Sequence, residues 1–430
     1  MKNFNLLVIA AAALCAVSCK KNETPKSTTQ ALSENTRTQK LVSGPGDVVG
    51  KITTGYQGWF SCAGDQSPAN NWWHWTPNWS LIPSPNNQII PIWPDVREYT
   101  KTYQTGFASL GNGKPAKLFS SFDTQTIQTH FKWMQENGID CAALQRFNPN
   151  GGEGAIRNAI TKKIRDIAPA YNRKFYIMYD ISNWENFNAE IKSDWTSVMG
   201  TSLHVTSSSA YAKQNGKPVV CIWGIGFLDR PGDAATCINL IKWFKDQGVY
   251  VIGGTPTWWR FDPGVDGNFH DSKAGFLNVY HSFDMISPWM VGPISNSGDS
   301  DNIRRIVNEG DVAECKSLGI DYQANVVPGG RGARKHGDFM WHQFANMTQI
   351  GSAGLYIAMF DEYGEGNQIA KAAEDASMKP TNDTFSFTLD DDGVHCSSDY
   401  YLRLTHDGGR MFKGEIPLTF TRPTKPSLTK

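Results

Sequence analysis

Residues 353–369 read Ala353-Gly354-Leu355-Tyr356-Ile357-Ala358-Met359-Phe360-Asp361-Glu362-Tyr363-Gly364-Glu365-Gly366-Asn367-Gln368-Ile369. The first seven residues are apolar and predict a buried β-strand. Two glutamates, Glu362 and Glu365, follow the strand among glycines, where they are poor material for a hydrophobic core. Carboxyl groups held at the mouth of a pocket are what general acid/base catalysis requires, although a polar loop with two solvated glutamates fits the same residues. The place of this strand in the fold decides between these two interpretations.

Seven similar apolar segments precede it and alternate with amphipathic helices. The predicted strands are residues 52–56, 139–144, 174–179, 218–223, 249–252, 283–287, 321–326 and 354–360. Eight such units predict an α/β protein whose residues 47–380 form a closed (β/α)8 TIM barrel, with residues 117–119 as an arguable ninth strand. An open doubly wound sheet is the alternative. It would need a glycine-rich phosphate turn after the first strand, and residues 55–59 lack that spacing.

The segment after the barrel, residues 381–430, is predicted to be a short β extension packed on it. Residues 385–387 and 400–404 are strand-like, and turns are predicted at 392–393 and 407–409. The run Asp390-Asp391-Asp392-Gly393 favours a hairpin turn over a calcium loop, because it lacks the spaced ligands and downstream glutamate of an EF-hand.

The N-terminus predicts an exported lipoprotein. Lys2 precedes an apolar stretch over residues 6–17 that is too short to span a bilayer, and Ala16-Val17-Ser18-Cys19 looks like a lipobox. We therefore expect a signal peptide over 1–19, lipidation at Cys19 and a flexible tether over 20–46. An ordinary signal peptide is the alternative. The expected location is the cell envelope, lipid-anchored on the periplasmic or the outer surface.

Composition narrows the class of partner. The 41 basic and 41 acidic residues balance, so a nucleic-acid partner is not expected. The 15 tryptophans favour carbohydrate, because sugar rings stack on flat aromatic faces. The cysteines beyond the signal show no zinc-ligand spacing, so a metal site is not expected. We also expect no cofactor. The protein is predicted to be a monomer.

The predicted site lies at the C-terminal ends of the strands, where barrels place their chemistry. Almost every strand ends in an aromatic or hydrogen-bonding side chain, the lining expected for a polyhydroxylated ligand. Glu362 and Glu365 are the predicted catalytic residues. The predicted substrate-binding residues are Tyr56, Trp59, His74, Trp75, Gln145, Arg146, Asp180, Trp223, Trp258, Trp259, Trp289 and Arg331.

Residues 360–369 resemble the F-N-E-W-x-E-G-T-Q-I segment of glycoside hydrolase family 99, the endo-α-1,2-mannosidases and mannanases, and the wider 71/99-like group. His74-Trp75 resembles part of the family's H-W-N-H element, and residues 118–123 with 137–140 resemble its stretch leading into the second strand. The resemblance implies a (β/α)8 barrel that cleaves α-linked sugars with retention and without a metal. It further implies that Glu362 acts as base on the substrate's 2-hydroxyl, giving a 1,2-anhydro sugar. Glu365 would protonate the departing oxygen and then activate water.

Departures from the family pattern indicate a rebuilt pocket. The second strand ends in residues 144–147, Leu-Gln-Arg-Phe, where the family has Ser-Trp-Trp, and Tyr363 replaces the motif tryptophan. The sequence thus predicts an exported glycoside hydrolase whose sugar is left open. One alternative is a non-catalytic carbohydrate-binding lipoprotein on the same scaffold. Another is a barrel enzyme of a different type that uses Asp180 or Asp361 with Arg331.

Overall fold

The computed structural model describes residues 42–261 and 271–427. The predicted signal peptide, the lipidation site Cys19 and residues 20–41 of the predicted tether lie outside the described residues. Ser43 already contacts the barrel, donating its backbone N–H to Asp321 Oδ1 at 3.0 Å. Within the described ranges, the structure contains no helix that is both long and apolar enough to cross a bilayer.

Eight parallel strands close into a barrel, as predicted. Each pairs with the next in chain order, and the last pairs with the first, with Tyr356 opposite Thr53. This closure excludes the open doubly wound sheet. The strands are β1 (Ile52–Tyr56), β2 (Cys141–Arg146), β3 (Lys174–Asp180), β4 (Lys217–Trp223), β5 (Tyr250–Thr255), β6 (Met285–Pro288), β7 (Asp321–Val326) and β8 (Gly354–Ile357).

Helices cover the outside of the barrel, so the strands are buried on both faces and read as nearly continuous apolar runs. The first helix shows the pattern, since Ile127, Phe131 and Met134 recur at helical spacing and are buried. The helices are α1 (Thr124–Glu136), α2 (Gly154–Ile167), α3 (Phe187–Ser193), α4 (Ala234–Asp246), α5 (Leu277–Tyr280), α6 (Ser297–Ile303), α7 (Glu309–Leu318), α8 (Asp338–Gln349) and α9 (Tyr400–Phe412). Wider π-helical turns follow α3 at Asp194–Ser202 and α6 at Arg304–Asn308.

Short strands lie outside the barrel. Lys117–Leu118, within the arguable ninth strand, pairs antiparallel with Tyr103–Gln104 in the excursion after β1. Lys213–Gln214 forms a second antiparallel pair with the start of β4. Neither pair adds a strand to the closed barrel.

The prediction of a C-terminal β extension is wrong at residues 400–409, which belong to helix α9. Gly408 and Gly409, which were expected to form a turn, lie inside this helix where it packs closely against α8 and β1. A Cβ on Gly408 would lie 2.6 Å from the Phe344 ring of α8, and one on Gly409 would lie 3.1 Å from Ile52 of β1. Residues 390–393 do form a turn, closed by Gly393 N–H donating to the Asp390 carbonyl at 2.8 Å, but strands do not flank it in the described chain.

Gly408→Ala is expected to lower stability. Helix propensity alone predicts a gain of about 0.5–1 kcal/mol. Overpacking against Phe344 costs about 1–3 kcal/mol, so the steric term should win and lower the thermal midpoint. Gly44→Ala, where an added Cβ has no neighbour within 4 Å, is the control. An unchanged or raised midpoint in the Gly408 variant would show that α9 does not pack this closely on α8.

Candidate active site

Asp361 fastens the loop after β8 to the loop after β1. It is fully buried, and its Oδ1 and Oδ2 accept the backbone N–H groups of Gln57 at 2.7 Å and Gly58 at 2.8 Å. Burial raises the pKa of Asp361 to about 6, although both N–H bonds favour its ionised form. Because both oxygens are already bonded to the backbone, Asp361 positions the two loops.

Asp361→Asn is expected to weaken this attachment. An amide offers one acceptor oxygen, so one buried N–H would face an NH2 group, at a cost of about 2 kcal/mol. We expect a lower thermal midpoint than that of Asp391→Asn, a matched change at an exposed turn residue. Equal midpoints for the two variants would contradict the role assigned to Asp361.

Glu362 is buried beside this attachment, with 4% of the residue exposed. Its Oε2 accepts a hydrogen bond from Gln57 Nε2 at 2.7 Å. Burial, followed by the negative charges of Glu365 and Asp361, raises the pKa of Glu362 to about 8. In the free protein Glu362 is therefore mostly protonated at neutral pH. A titratable group perturbed in this way and held at a barrel mouth is typical of functional sites.

Glu365 lies three residues further along the loop and is exposed. Its Oε2 accepts a hydrogen bond from Asn367 Nδ2 at 3.2 Å. Between the two glutamates, Tyr363 turns into the core, where its hydroxyl donates to the Lys371 carbonyl at 2.8 Å. Gly364 leaves space beside Glu362, since a Cβ there would lie 3.1 Å from Glu362 Oε1. The loop thus holds one buried and one solvent-facing carboxyl near each other.

An aromatic and charged cluster contacts the loop after β1, from which Gln57 bonds Glu362. Trp59 stacks on His74 with ring centroids 3.8 Å apart, and His74 Nε2 lies 3.2 Å from Glu153 Oε1. Burial lowers the pKa of His74. Burial would raise the pKa of Glu153, but Arg157 and His74 lower it to about 2. Arg157 bonds Glu153 at 2.7 Å and the Gln57 carbonyl at 2.6 Å, so it connects α2 to the loop that contacts Glu362.

The barrel interior beside the mouth is polar. Within the described chain, the side-chain amide of Gln323, Asn325 Oδ1, the Tyr176 hydroxyl and Trp223 Nε1 are buried without a hydrogen-bond partner. Buried polar groups rarely lack a partner, so these atoms are suited to bind a buried water molecule. The cavity is lined by Tyr176, Met178, Cys221, Trp223, Gly254, Ser287, Trp289, Gln323, Asn325 and Tyr356.

Several predicted substrate-binding residues lie at this mouth or in this interior. Trp223 and Trp289 meet edge to face with centroids 5.3 Å apart, and both line the cavity. Gln145 reaches Met359 Sδ at 3.7 Å. Asp180 is buried, and its Oδ1 accepts the Ser182 hydroxyl at 2.5 Å; burial raises its pKa. Their contacts with a substrate stay predictions.

Two predicted residues lie on outer loops. Arg331 is exposed, donates to the Phe385 carbonyl at 3.0 Å and lies over the Phe387 ring at 5.4 Å. Trp258 is half-buried and meets Phe261 edge-on at 5.4 Å. For Arg331 and Trp258, contact with a substrate stays a prediction.

Four further predicted substrate-binding residues are buried, with at most 1% of each residue exposed, and their contact with a substrate stays a prediction. Their polar atoms already bind the protein core. The pairs are Tyr56 hydroxyl with His130 Nδ1 at 2.8 Å, Trp75 Nε1 with the Phe119 carbonyl at 3.0 Å, Arg146 Nε with Asp194 Oδ2 at 2.6 Å and Trp259 Nε1 with Asp311 Oδ2 at 3.0 Å. Tyr56 and Arg146 are the last residues of β1 and β2, whose side chains alternate between the two faces, so a residue at a strand end need not point to the barrel axis.

The predicted set omits Gln57, Glu153, Arg157, Gln323 and Asn325. The last two have a visible signal, because Gln323 and Asn325 interrupt the apolar strand β7 at a spacing of two and so share one face. Gln57 directly follows β1, at the position where barrels place functional groups. The contacts of Glu153 and Arg157 depend on how α2 packs, which strand positions do not indicate.

Groups of three or more histidine, cysteine, aspartate or glutamate side chains able to hold a metal ion do not occur in residues 42–261 and 271–427. The chemistry that the described residues offer is proton transfer by two carboxyls, next to aromatic rings and hydrogen-bonding side chains.

Comparison with known proteins identifies the fold. No protein-family model and no curated protein matches the sequence. Among solved structures, the chain is similar to a GH99 endo-α-mannosidase from Bacteroides thetaiotaomicron, with a TM-score of 0.59 and 15% identity over 85% of this chain and 98% of that one. A structure of that enzyme with BIS-TRIS-propane gives a TM-score of 0.57 and 13% identity, covering 86% of this chain and 98% of that one. At these identities the similarity shows a shared (β/α)8 fold.

Proposed function

We propose that the protein is a glycoside hydrolase that cleaves an α-linked glycan with retention of configuration. The observation that carries the proposal is the pair Glu362 and Glu365, one buried and one exposed on a single loop at the C-terminal mouth of the barrel. Tryptophan rings and unpartnered polar groups of the described chain line a cavity inside the same barrel. The fold shared with an endo-α-mannosidase over most of both chains supports this choice.

The proposed chemistry proceeds through the substrate's own 2-hydroxyl. Glu362 removes the proton of that hydroxyl while the substrate's O2 attacks C1. Glu365 protonates the glycosidic oxygen as the bond between C1 and that oxygen breaks. The product of this step is a 1,2-anhydro sugar. Glu365 then takes a proton from water as the water oxygen attacks C1 and opens the ring, and Glu362 returns its proton to O2. Two inversions at C1 give retention.

The environments of the two carboxyls suit these roles. Burial raises the pKa of Glu362 to about 8, which makes its ionised form a stronger base, and Gln57 donates to that ionised form and stabilises it. Glu365 is exposed, so the water from which it takes a proton in the second step can reach it directly.

A panel of α-mannans, α-glucans and other polysaccharides tests the function. We expect sugar release from at least one polymer by wild type and by Glu136→Gln, a change at an exposed residue at the end of α1. The double variant Glu362→Gln/Glu365→Gln should release none. Proton NMR of the first product should show the α-anomer. If wild type binds a polymer but cuts none, the protein is the non-catalytic carbohydrate-binding alternative.

We also propose export and lipid attachment at Cys19, as the N-terminal sequence predicts, with the barrel acting as a monomer. Cys19→Ala should abolish incorporation of radiolabelled palmitate and move the protein from the membrane fraction to the soluble envelope fraction. Labelling that persists in the variant would refute the attachment site.

A further inference from the structure

We propose that Trp73 and Trp79 form a glycan-binding platform outside the catalytic pocket. The proposal rests on the function proposed above and adds a site for sugars beyond the linkage being cut. The two indoles stack with centroids 4.1 Å apart at 25°. Trp79 is 41% exposed, and Trp73 is half-buried. A rigid aromatic surface left open to solvent fits the apolar C–H face of a pyranose ring.

The platform is held in place before any ligand binds. The Asn87 side chain donates to the carbonyls of Asn78 at 3.1 Å and Leu81 at 3.0 Å, and it accepts the Asn78 N–H at 3.1 Å. The Trp72 N–H donates to the Trp79 carbonyl at 2.9 Å. Since the loop is already ordered by these bonds, a ligand would bind with little loss of backbone entropy.

A continuous set of contacts joins the platform to the catalytic loop. Trp73 Nε1 donates to Glu153 Oε1 at 3.1 Å, and His74, which stacks on Trp59, contacts the same oxygen. From Glu153 the contacts pass through Arg157 to the Gln57 carbonyl. Gln57 itself donates to Glu362. The platform and Glu362 thus belong to one network of contacts, and we place a single chain of sugars across both.

Trp79→Ala tests the platform, because the Trp79 ring makes none of these catalytic-loop contacts. We expect the ratio of kcat/KM on polymer to kcat/KM on a short oligosaccharide to fall about five- to tenfold. Trp243→Ala on α4, a half-buried indole that packs edge-on against Phe244, should leave that ratio unchanged. Retention of the full chain in native gels that contain the polysaccharide should fall with Trp79→Ala in the Glu365→Gln background as well.

The gel measurement separates this proposal from the proposed hydrolysis. If wild type cuts no glycan but is retained by one, and Trp79→Ala is not, the platform stands while the hydrolase function fails. If Trp79→Ala keeps both the wild-type ratio and the wild-type retention, or if none of the polysaccharides tested retains wild type, the platform is overturned. A wild-type dimer that Trp79→Ala converts to monomer, with retention unchanged, would also overturn it and assign the surface to a second copy of the chain.

Discussion

Glu365→Gln is expected to lower kcat on a natural glycan about 1000-fold while sparing the first step, though not the hydrolysis of the anhydro sugar, on a substrate whose leaving group needs no acid. The sugar alkoxide that leaves a glycan must be protonated as the C1–O bond breaks. A nitrophenolate or fluoride leaves without a proton, so formation of the anhydro sugar should slow by less than about tenfold on such substrates. Azide attacks C1 without a base, and it should therefore restore turnover of the activated substrate and give a glycosyl azide of retained configuration.

Glu362→Gln is the matched comparison on the same loop. The 2-hydroxyl must lose its proton whatever group departs, so this variant should be equally slow on glycan and activated substrate, and azide should not rescue it. Glu136→Gln controls for the loss of one carboxyl elsewhere. If the activated substrate spares Glu362→Gln and not Glu365→Gln, the two roles are reversed. Equal impairment of both variants on every substrate would refute the division of labour.

The barrel could be predicted from sequence because its strands are buried on both faces. The predicted seventh strand coincides with Asp321–Val326, and the predicted fourth differs from Lys217–Trp223 by one residue. Strand β8 ends earlier than predicted, at Ile357, although the Phe360 N–H still bonds the Gly55 carbonyl at 2.8 Å. Apolar runs and helical spacing are local signals, and they suffice when each unit repeats the same arrangement.

The C-terminal segment failed for the opposite reason. Gly408 and Gly409 have poor helix propensity and are typical turn residues, yet they allow α9 to approach Phe344 and Ile52. Glycine is favoured at these two helical positions only because α8 and β1 pack against them. A tertiary contact thus overrides the local signal, and a prediction made from local sequence has no access to it.

The sequence locates the candidate site at the strand ends, but it does not show which side chains there point toward the barrel axis. Strand ends locate Gln145 and Arg146 equally well, but Gln145 reaches Met359 whereas Arg146 binds Asp194 in the helical layer. Likewise Tyr56 contacts His130 of α1, and the next residue, Gln57, contacts Glu362. Which of two neighbours faces the axis depends on strand orientation, and one residue of uncertainty in the strand boundary reverses the assignment.

The pH dependence of catalysis follows from the burial of Glu362. As a base, Glu362 must be ionised, and its pKa in the free protein is raised to about 8. We expect kcat/KM to rise about tenfold per pH unit on the acid side of this pKa and to level off above it. The measurement is a profile of initial rates from pH 5.5 to 9.5 on an activated substrate, whose departure does not depend on the protonation of Glu365.

Gln57→Leu tests whether the ionisation of Glu362 causes the rise of kcat/KM with pH. Gln57 donates to the ionised form of Glu362, so its removal should raise the pKa further and move the rising limb to higher pH. The contribution of Glu362 to folding stability should fall as pH rises, whereas the rate of catalysis should rise. A carboxyl whose folded pKa is raised stabilises the fold below its unfolded pKa, near 4.5, and this stabilisation is lost as pH rises through about 8. Glu362→Gln should therefore be more stable than wild type at pH 9, by on the order of a few kcal/mol. A rate that falls through pH 8 would instead make Glu362 the acid.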